Sequence, residues 1–319
     1  MPTNFQAYLP TSQQVSKKTL QIAIALLLVY IVWGTTYFGL AVALQTMPPM
    51  WMNGSRFVVA GLIMLALARW RGVAWPTKQE WMHSALVGGL MVFIAMNLVG
   101  FAQKMGIGSG LMATVVATMP MWLTLWTRWG GESVPLTSWV GLMFGVLGAL
   151  LLALEGDFSS SWQAGLLAFG APVAWSIGSY LSRKIQLPKA EMAPAAQWLS
   201  GGVLGVLAAM WVEPMDATRF HAISSASWWA WLYLVGMGTL VALNAYLWLL
   251  QHTSPTLAGS YSFVNPAVAL LVGVSLGGEH LTGWVFVALP LIGLALALLM
   301  YGPACVRWWH GKRTHTRIA

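Results

Sequence analysis

Long apolar runs separated by short polar turns cover nearly the whole chain. A helix needs roughly 20 consecutive apolar residues to cross the hydrocarbon core of a bilayer. Ten runs of that order stand out, at 20–44, 49–69, 82–103, 108–128, 136–154, 163–183, 194–212, 227–250, 256–276 and 282–301. Each is continuously apolar rather than strictly alternating, which argues for helices and against a closed barrel of strands. The pattern predicts an all-α membrane protein of about ten transmembrane helices.

Landmarks on these runs recur in one order. Asn97 and Asn244 each sit midway along a run. Each is followed by a proline in the next run, Pro120 or Pro266, and then by a Gly-Glu pair, Gly131-Glu132 or Gly278-Glu279. The offset is 146 to 147 residues throughout. Such a duplication of hydrophobic segments is a hallmark of secondary transporters. The expected organisation is a cytoplasmic tail at 1–19, a first repeat at 20–155, a second repeat at 163–301 and a basic cytoplasmic tail at 302–319. Five runs per half would invert the second repeat relative to the first, supplying a related gate on each side of a central site.

Composition narrows the class. Hydrophobic residues make up 58% of the chain and charged residues 8%, against roughly 25% charged in soluble domains. The net charge of +8 admits two readings, an anionic or nucleic-acid partner or the loop bias of a membrane protein. Position favours the second. With the N-terminus inside, thirteen of the sixteen Lys and Arg residues fall on the cytoplasmic side, leaving only Arg56, Lys104 and Arg219 on the outer half. That bias places both termini in the cytoplasm. The first run is too long for the apolar core of a signal peptide and lacks a small-residue cleavage site, so it reads as a retained span. The single Cys305 excludes an internal disulfide.

Candidate chemistry lies at mid-depth. Trp33-Gly34-Thr35-Thr36-Tyr37 in the first run matches Trp175-Ser176-Ile177-Gly178-Ser179-Tyr180 in the sixth. Small residues there allow helices to approach closely, but aromatic anchors normally sit at the interfaces, so Trp33, Thr36, Tyr37, Trp175, Ser179 and Tyr180 are candidates to line a cavity. Trp122, Tyr246, Ser260, Tyr261 and Asn265 lie at compatible depth. Asn97 and Asn244 either contact the solute or bond a carbonyl of the helix wall; as solute contacts, their loss would change transport. Pro120 and Pro266 are candidate hinges. These walls predict a neutral, aromatic cavity suited to a neutral amphipathic or aromatic solute. No Asp or Glu falls at a span centre, which argues against a buried carboxylate relay. Arg56 and Lys104 are expected to snorkel to the outer interface, with Lys104 a candidate at the outer mouth. Glu132 and Glu279 are expected to cap the helices that follow them or to act in gating. No metal-type histidine pair and no nucleotide-binding loop is present, so no cofactor is predicted.

The strings Tyr30-Ile-Val-Trp33-Gly34-Thr35-Thr36-Tyr37-Phe38, Pro48-Pro49 with Arg56-Phe57, Val116-Ala117-Thr118-Met119-Pro120, Asn244-Ala245-Tyr246, Ser260-Tyr261-x-x-Val264-Asn265-Pro266 and Gly277-Gly278-Glu279 together resemble the drug/metabolite transporter superfamily, in its EamA-domain branch. The resemblance covers nearly all of the chain after the N-terminal tail. It implies ten helices in two inverted repeats in a bacterial inner membrane, a central cavity, and export of small metabolites such as amino acids. Gln103 stands where relatives often carry an acidic residue. The predicted function is export of small organic solutes by alternating access, with no enzymatic activity. The expected partners are a small-molecule substrate and the lipid bilayer, with no nucleic acid, in a monomer or homodimer. Alternatives are a proton-coupled multidrug exporter, an importer of sugar-like solutes, and a non-transporting membrane sensor or scaffold.

Overall fold

The computed structural model describes residues 12–152, 162–253, 261–279 and 283–315. All regular structure among the described residues is helical. The helices are α1 (Ser12–Ala43), α2 (Pro49–Trp70), α3 (Lys78–Lys104), α4 (Ser109–Trp129), α5 (Leu136–Leu152), α6 (Trp162–Ser182), α7 (Met192–Val212), α8 (Ser225–Tyr233, continued through Leu234–Val241 and Ala242–His252), α9 (Tyr261–Gly277) and α10 (Gly283–His315). A one-turn helix, Ala217–His221, joins α7 to α8. Seven of these helices are long and apolar enough to cross a membrane, and shorter apolar helical stretches run over Leu136–Gly148, Val264–Gly277 and Gly283–Leu298. Helix α1 begins inside the segment expected as a tail, and α10 continues to His315.

The outer surface is what lipid requires. On α1, Leu20, Ile24, Leu27 and Ile31 fall on one helical stripe and are half exposed, the spacing of a single face. Trp70 and Trp129 at one end of the bundle, and Trp211 and Trp229 at the other, are the most exposed aromatics of their helices, as expected of belts at the two interfaces. The Trp70 end also gathers the exposed pairs Arg71–Glu191 at 2.5 Å and Lys184–Glu132 at 2.6 Å. It is called the basic end below, and the opposite end the far end.

Small residues set the packing. Helix α2 lies against α7, α5 against α10, and α4 against α9. Gly54 of α2 faces Gly202 and Gly205 of α7, and Gly61 lies so close to Leu199 that a methyl group on it would stand 2.7 Å from the Leu199 nitrogen. Two further sets of contacts repeat between the halves: α1 touches α8 and α9, while α6 touches α3 and α4.

Two helices carry a matching irregularity. A π-helical segment runs over Gly89–Ala95 in α3 and over Leu234–Val241 in α8. An extra residue per turn leaves main-chain carbonyls without their usual partners. Asn97 and Asn244 stand just beyond these segments. Asn97 Nδ2 donates to Phe93 O at 2.7 Å, and Asn244 Nδ2 donates to Leu240 O at 2.6 Å. Asn53 Nδ2 donates to Met96 O at 2.9 Å from the neighbouring helix.

Candidate functional site

A cavity of about 430 Å³ lies at mid-depth between the helices of both halves. Its aromatic wall comes from α1, α8 and α9. Trp33, Tyr246 and Tyr261 form a three-ring cluster, with centroids 4.8 to 5.5 Å apart and tilted or edge-to-face. Trp33 is fixed by its indole Nε1, which donates to Gly238 O at 3.0 Å. That carbonyl belongs to the π-helical part of α8, so the irregular backbone positions a cavity ring directly. Trp175 and Trp198 complete the aromatic lining, and the Trp175 indole nitrogen has no partner among the described residues.

Ten of the residues expected from the sequence as cavity walls or hinges line this cavity: Trp33, Thr36, Tyr37, Pro120, Trp175, Ser179, Tyr246, Tyr261, Asn265 and Pro266. Others face elsewhere. The Asn97 and Asn244 amides are spent on carbonyls of their own helices, and neither residue lines the cavity. The Trp122 indole turns back to Thr118 Oγ1 at 3.3 Å. Tyr180 stands at the basic end beneath the Lys184 ammonium. Ser260 lies outside the described residues. The two prolines also differ. Pro120 opens the second part of α4, which breaks between Val116 and Met119, whereas Pro266 sits inside an unbroken α9.

Charge at the site departs most from expectation. Arg56 does not snorkel. It is 6% exposed and lines the cavity. Its place on α2, seven residues after Pro49, puts it about 10 Å inside the helix end at 1.5 Å per residue, too deep for the side chain to regain the interface. Nε donates to Thr239 Oγ1 at 3.2 Å, and the guanidinium carbon lies 4.6 Å from the Phe57 ring centroid. Thr239 in turn donates to Leu234 O at 2.9 Å. The cavity is therefore not neutral. No Asp or Glu lines it among the described residues. Sequence reasoning also passed over Gln197 and Thr239; the pairing Arg56-Phe57 was visible, but its depth was assigned by the general tendency of charges to reach water.

The remaining charged candidates act as helix ties away from the cavity. Lys104 Nζ donates to Leu44 O at 2.5 Å, where the C-terminal carbonyls of α1 welcome a cation. Among the described residues Glu279 ties to the start of α4 rather than to the helix that follows it. Its carboxylate accepts from Ser109 N and Ser109 Oγ, both at 2.5 Å, and from Gly110 N at 3.0 Å, so it clasps the N-terminus of α4 across the far end. Glu132 is exposed and pairs with Lys184 instead. The hydrogen bond from Lys184 holds its carboxyl below the ordinary range. The shared Gly-Glu motif has a local cause: Gly131 at φ 86° and Gly278 at φ 65° take left-handed conformations that end their helices. The following glutamate N–H then reaches back, to Thr127 O in one case and Gly273 O in the other.

A many-helix bundle with lipid-type surfaces, built from two halves around a central cavity, is the architecture of a multi-pass membrane transporter. The EamA-like transporter family matches residues 20–154 and 162–301, and the chain belongs to that family. It is 35% identical over 280 residues to the Escherichia coli K12 protein named "Uncharacterized inner membrane transporter YedA", covering 87% of this chain and 90% of that one. It is 24% identical to the E. coli K12 "Probable amino-acid metabolite efflux pump", covering 88% and 94%. A solved crystal structure matches 89% of this chain and 97% of its own with a TM-score of 0.61 at 21% identity, a likeness of fold.

Proposed function

We propose that this protein is a secondary transporter of a bacterial inner membrane that exports small organic solutes by alternating access. The observation that carries the proposal is the cavity, drawn from both halves at mid-depth. The proposed architecture is ten spans in two inverted five-helix repeats. Its support is the exchange of pairings: α2 with α7, α5 with α10, and α4 with α9 map onto themselves when the halves are swapped, and α1 with α8 and α9 maps onto α6 with α3 and α4. Both π-helical segments exchange as well.

Direction follows from charge. The positive-inside rule makes the basic end cytoplasmic, together with both termini. The cavity reaches Ser179, Gln197 and Tyr261 toward that end and stops near Leu40 and Arg56 toward the other. A mid-depth site that reaches toward the cytoplasm, in a bundle whose far end is clasped by Glu279, suits loading from inside. The working unit is a monomer or homodimer in the bilayer, acting on a small molecule of amphipathic or aromatic character. Proteoliposome counterflow with labelled amino acids, aromatic acids, sugars and cationic dyes, with and without a pH gradient, tests this. Saturable exchange of one class is expected. Flux no greater than in protein-free vesicles for every class would overturn the reading.

A further inference from the structure

Arg56 has a charge that the fold leaves unanswered. Its guanidinium carries five N–H donors, of which the protein uses the one on Nε. The two terminal nitrogens have no acceptor among the described residues, yet the residue is 6% exposed and borders the cavity. Both ion pairs among the described residues lie at the basic end. A cation held at mid-depth in a membrane protein is costly and marks a solute or ion path. A planar fork of free donors matches the two oxygens of a carboxylate.

We infer that Arg56 is the anchor for an anionic head group, and that the solute is an organic monoanion: a carboxylate with an aromatic or apolar body. The inference rests on the reading of this cavity as the solute site. The rest of the lining fits that shape. The Trp33, Tyr246 and Tyr261 rings offer faces and edges to an aromatic body. About 430 Å³ lies in the range of small-ligand pockets. With no carboxylate among the described residues of the lining, an ammonium group would meet the like charge of Arg56, which disfavours cations and zwitterions. An anion also needs no coupled proton to leave a cell. The inside-negative potential drives it outward, consistent with the lack of acidic residues among the described residues of the cavity wall.

Four probes that share one ring separate the possibilities: phenylacetate, phenylacetamide, phenethylamine and phenylalanine. Binding to the purified full chain is read by tryptophan fluorescence, since Trp33, Trp175 and Trp198 line the cavity. In the wild type, phenylacetate binds at least tenfold more tightly than the other three. Arg56→Gln lowers phenylacetate affinity roughly tenfold to a hundredfold, as expected for losing a charge-assisted hydrogen bond, and leaves phenylacetamide unchanged. Arg56→Lys keeps the preference for the anion at reduced affinity, because the charge stays and the fork is lost. Equal wild-type affinity for phenylacetate and phenylacetamide overturns the inference. So does an Arg56→Gln protein that loses both in parallel while Arg56→Lys does the same, which marks a structural role. Flux separates the two readings. Counterflow of a neutral or zwitterionic probe without anion preference sinks the anchor and keeps the transporter. Tight, Arg56-dependent phenylacetate binding without flux keeps the anchor and sinks transport.

Discussion

Neutralising Glu279 is expected to unfasten the far end of the bundle. Its carboxylate gathers Ser109 N, Ser109 Oγ and Gly110 N at the start of α4. Hydrogen bonds to a charged group contribute about 1.5–3 kcal/mol each, and a negative charge at a helix N-terminus adds about 0.3–1 kcal/mol. Glutamine keeps one accepting oxygen but turns an amide donor toward donors. The clasped arrangement should therefore lose about 2–3 kcal/mol, roughly 30- to 150-fold in population. Gly273→Ala should do the same by a different route, since a methyl there would lie 2.6 Å from Glu279 Cδ and would displace the carboxylate without removing it. Ile107 reports on the clasp, being 2% exposed in the turn before α4. In a full chain carrying Cys305→Ser and Ile107→Cys, the rate of modification by a water-soluble maleimide measures how often this turn opens. Both Glu279→Gln and Gly273→Ala should raise that rate by the factor above. An unchanged rate in both variants, with an unchanged melting temperature, would refute the account of Glu279 as a clasp.

Other consequences follow from the same geometry. Asn97→Ala and Asn244→Ala each leave a buried carbonyl of a π-helical segment without its donor, so each should cost about 1–3 kcal/mol of stability and lower the melting temperature while leaving solute affinity unchanged; a changed affinity with intact stability would return these amides to the solute site. Gly61→Ala presses a methyl on the Leu199 backbone at 2.7 Å and should destabilise by about 1–3 kcal/mol, whereas Gly293→Ala, with nothing within 4 Å, should stabilise α10 by about 0.5–1 kcal/mol; thermal unfolding of the two variants compares them. Glu213 accepts from Met50 N and Trp51 N at the start of α2, but burial outweighs these bonds and raises its carboxyl above the ordinary value. A raised acid is proton-loaded in the folded state, so its contribution is full below the ordinary carboxylate range and fades as pH rises through the raised value. Melting curves across mildly acidic pH should show this decline in the wild type and a flatter profile in Glu213→Gln.

What the sequence made legible, and what it hid, divides along a physical line. Helix positions followed from hydropathy because each span must satisfy its backbone within itself; the run at 49–69 became Pro49–Trp70, and that at 163–183 became Trp162–Ser182. The repeated Asn97 and Asn244 were equally legible as a signal. Their partners were not, because a π-helical segment is a change in backbone winding that leaves no mark on the apolar pattern. The asparagines recur because both halves release a carbonyl at the same place, Phe93 and Leu240. Arg56 shows the opposite failure. Its residue type and neighbour were in plain view, but a one-dimensional reading sends every charge to the nearest interface. Helix α2 packs closely on α7 through Gly54, Gly61, Gly202 and Gly205, and Arg56 turns inward to Thr239. The close approach at these glycines sets the position of α2, and with it the one cation among the described residues of the cavity lining, so the chemistry of the site depends on helix packing as well as on the aromatic walls.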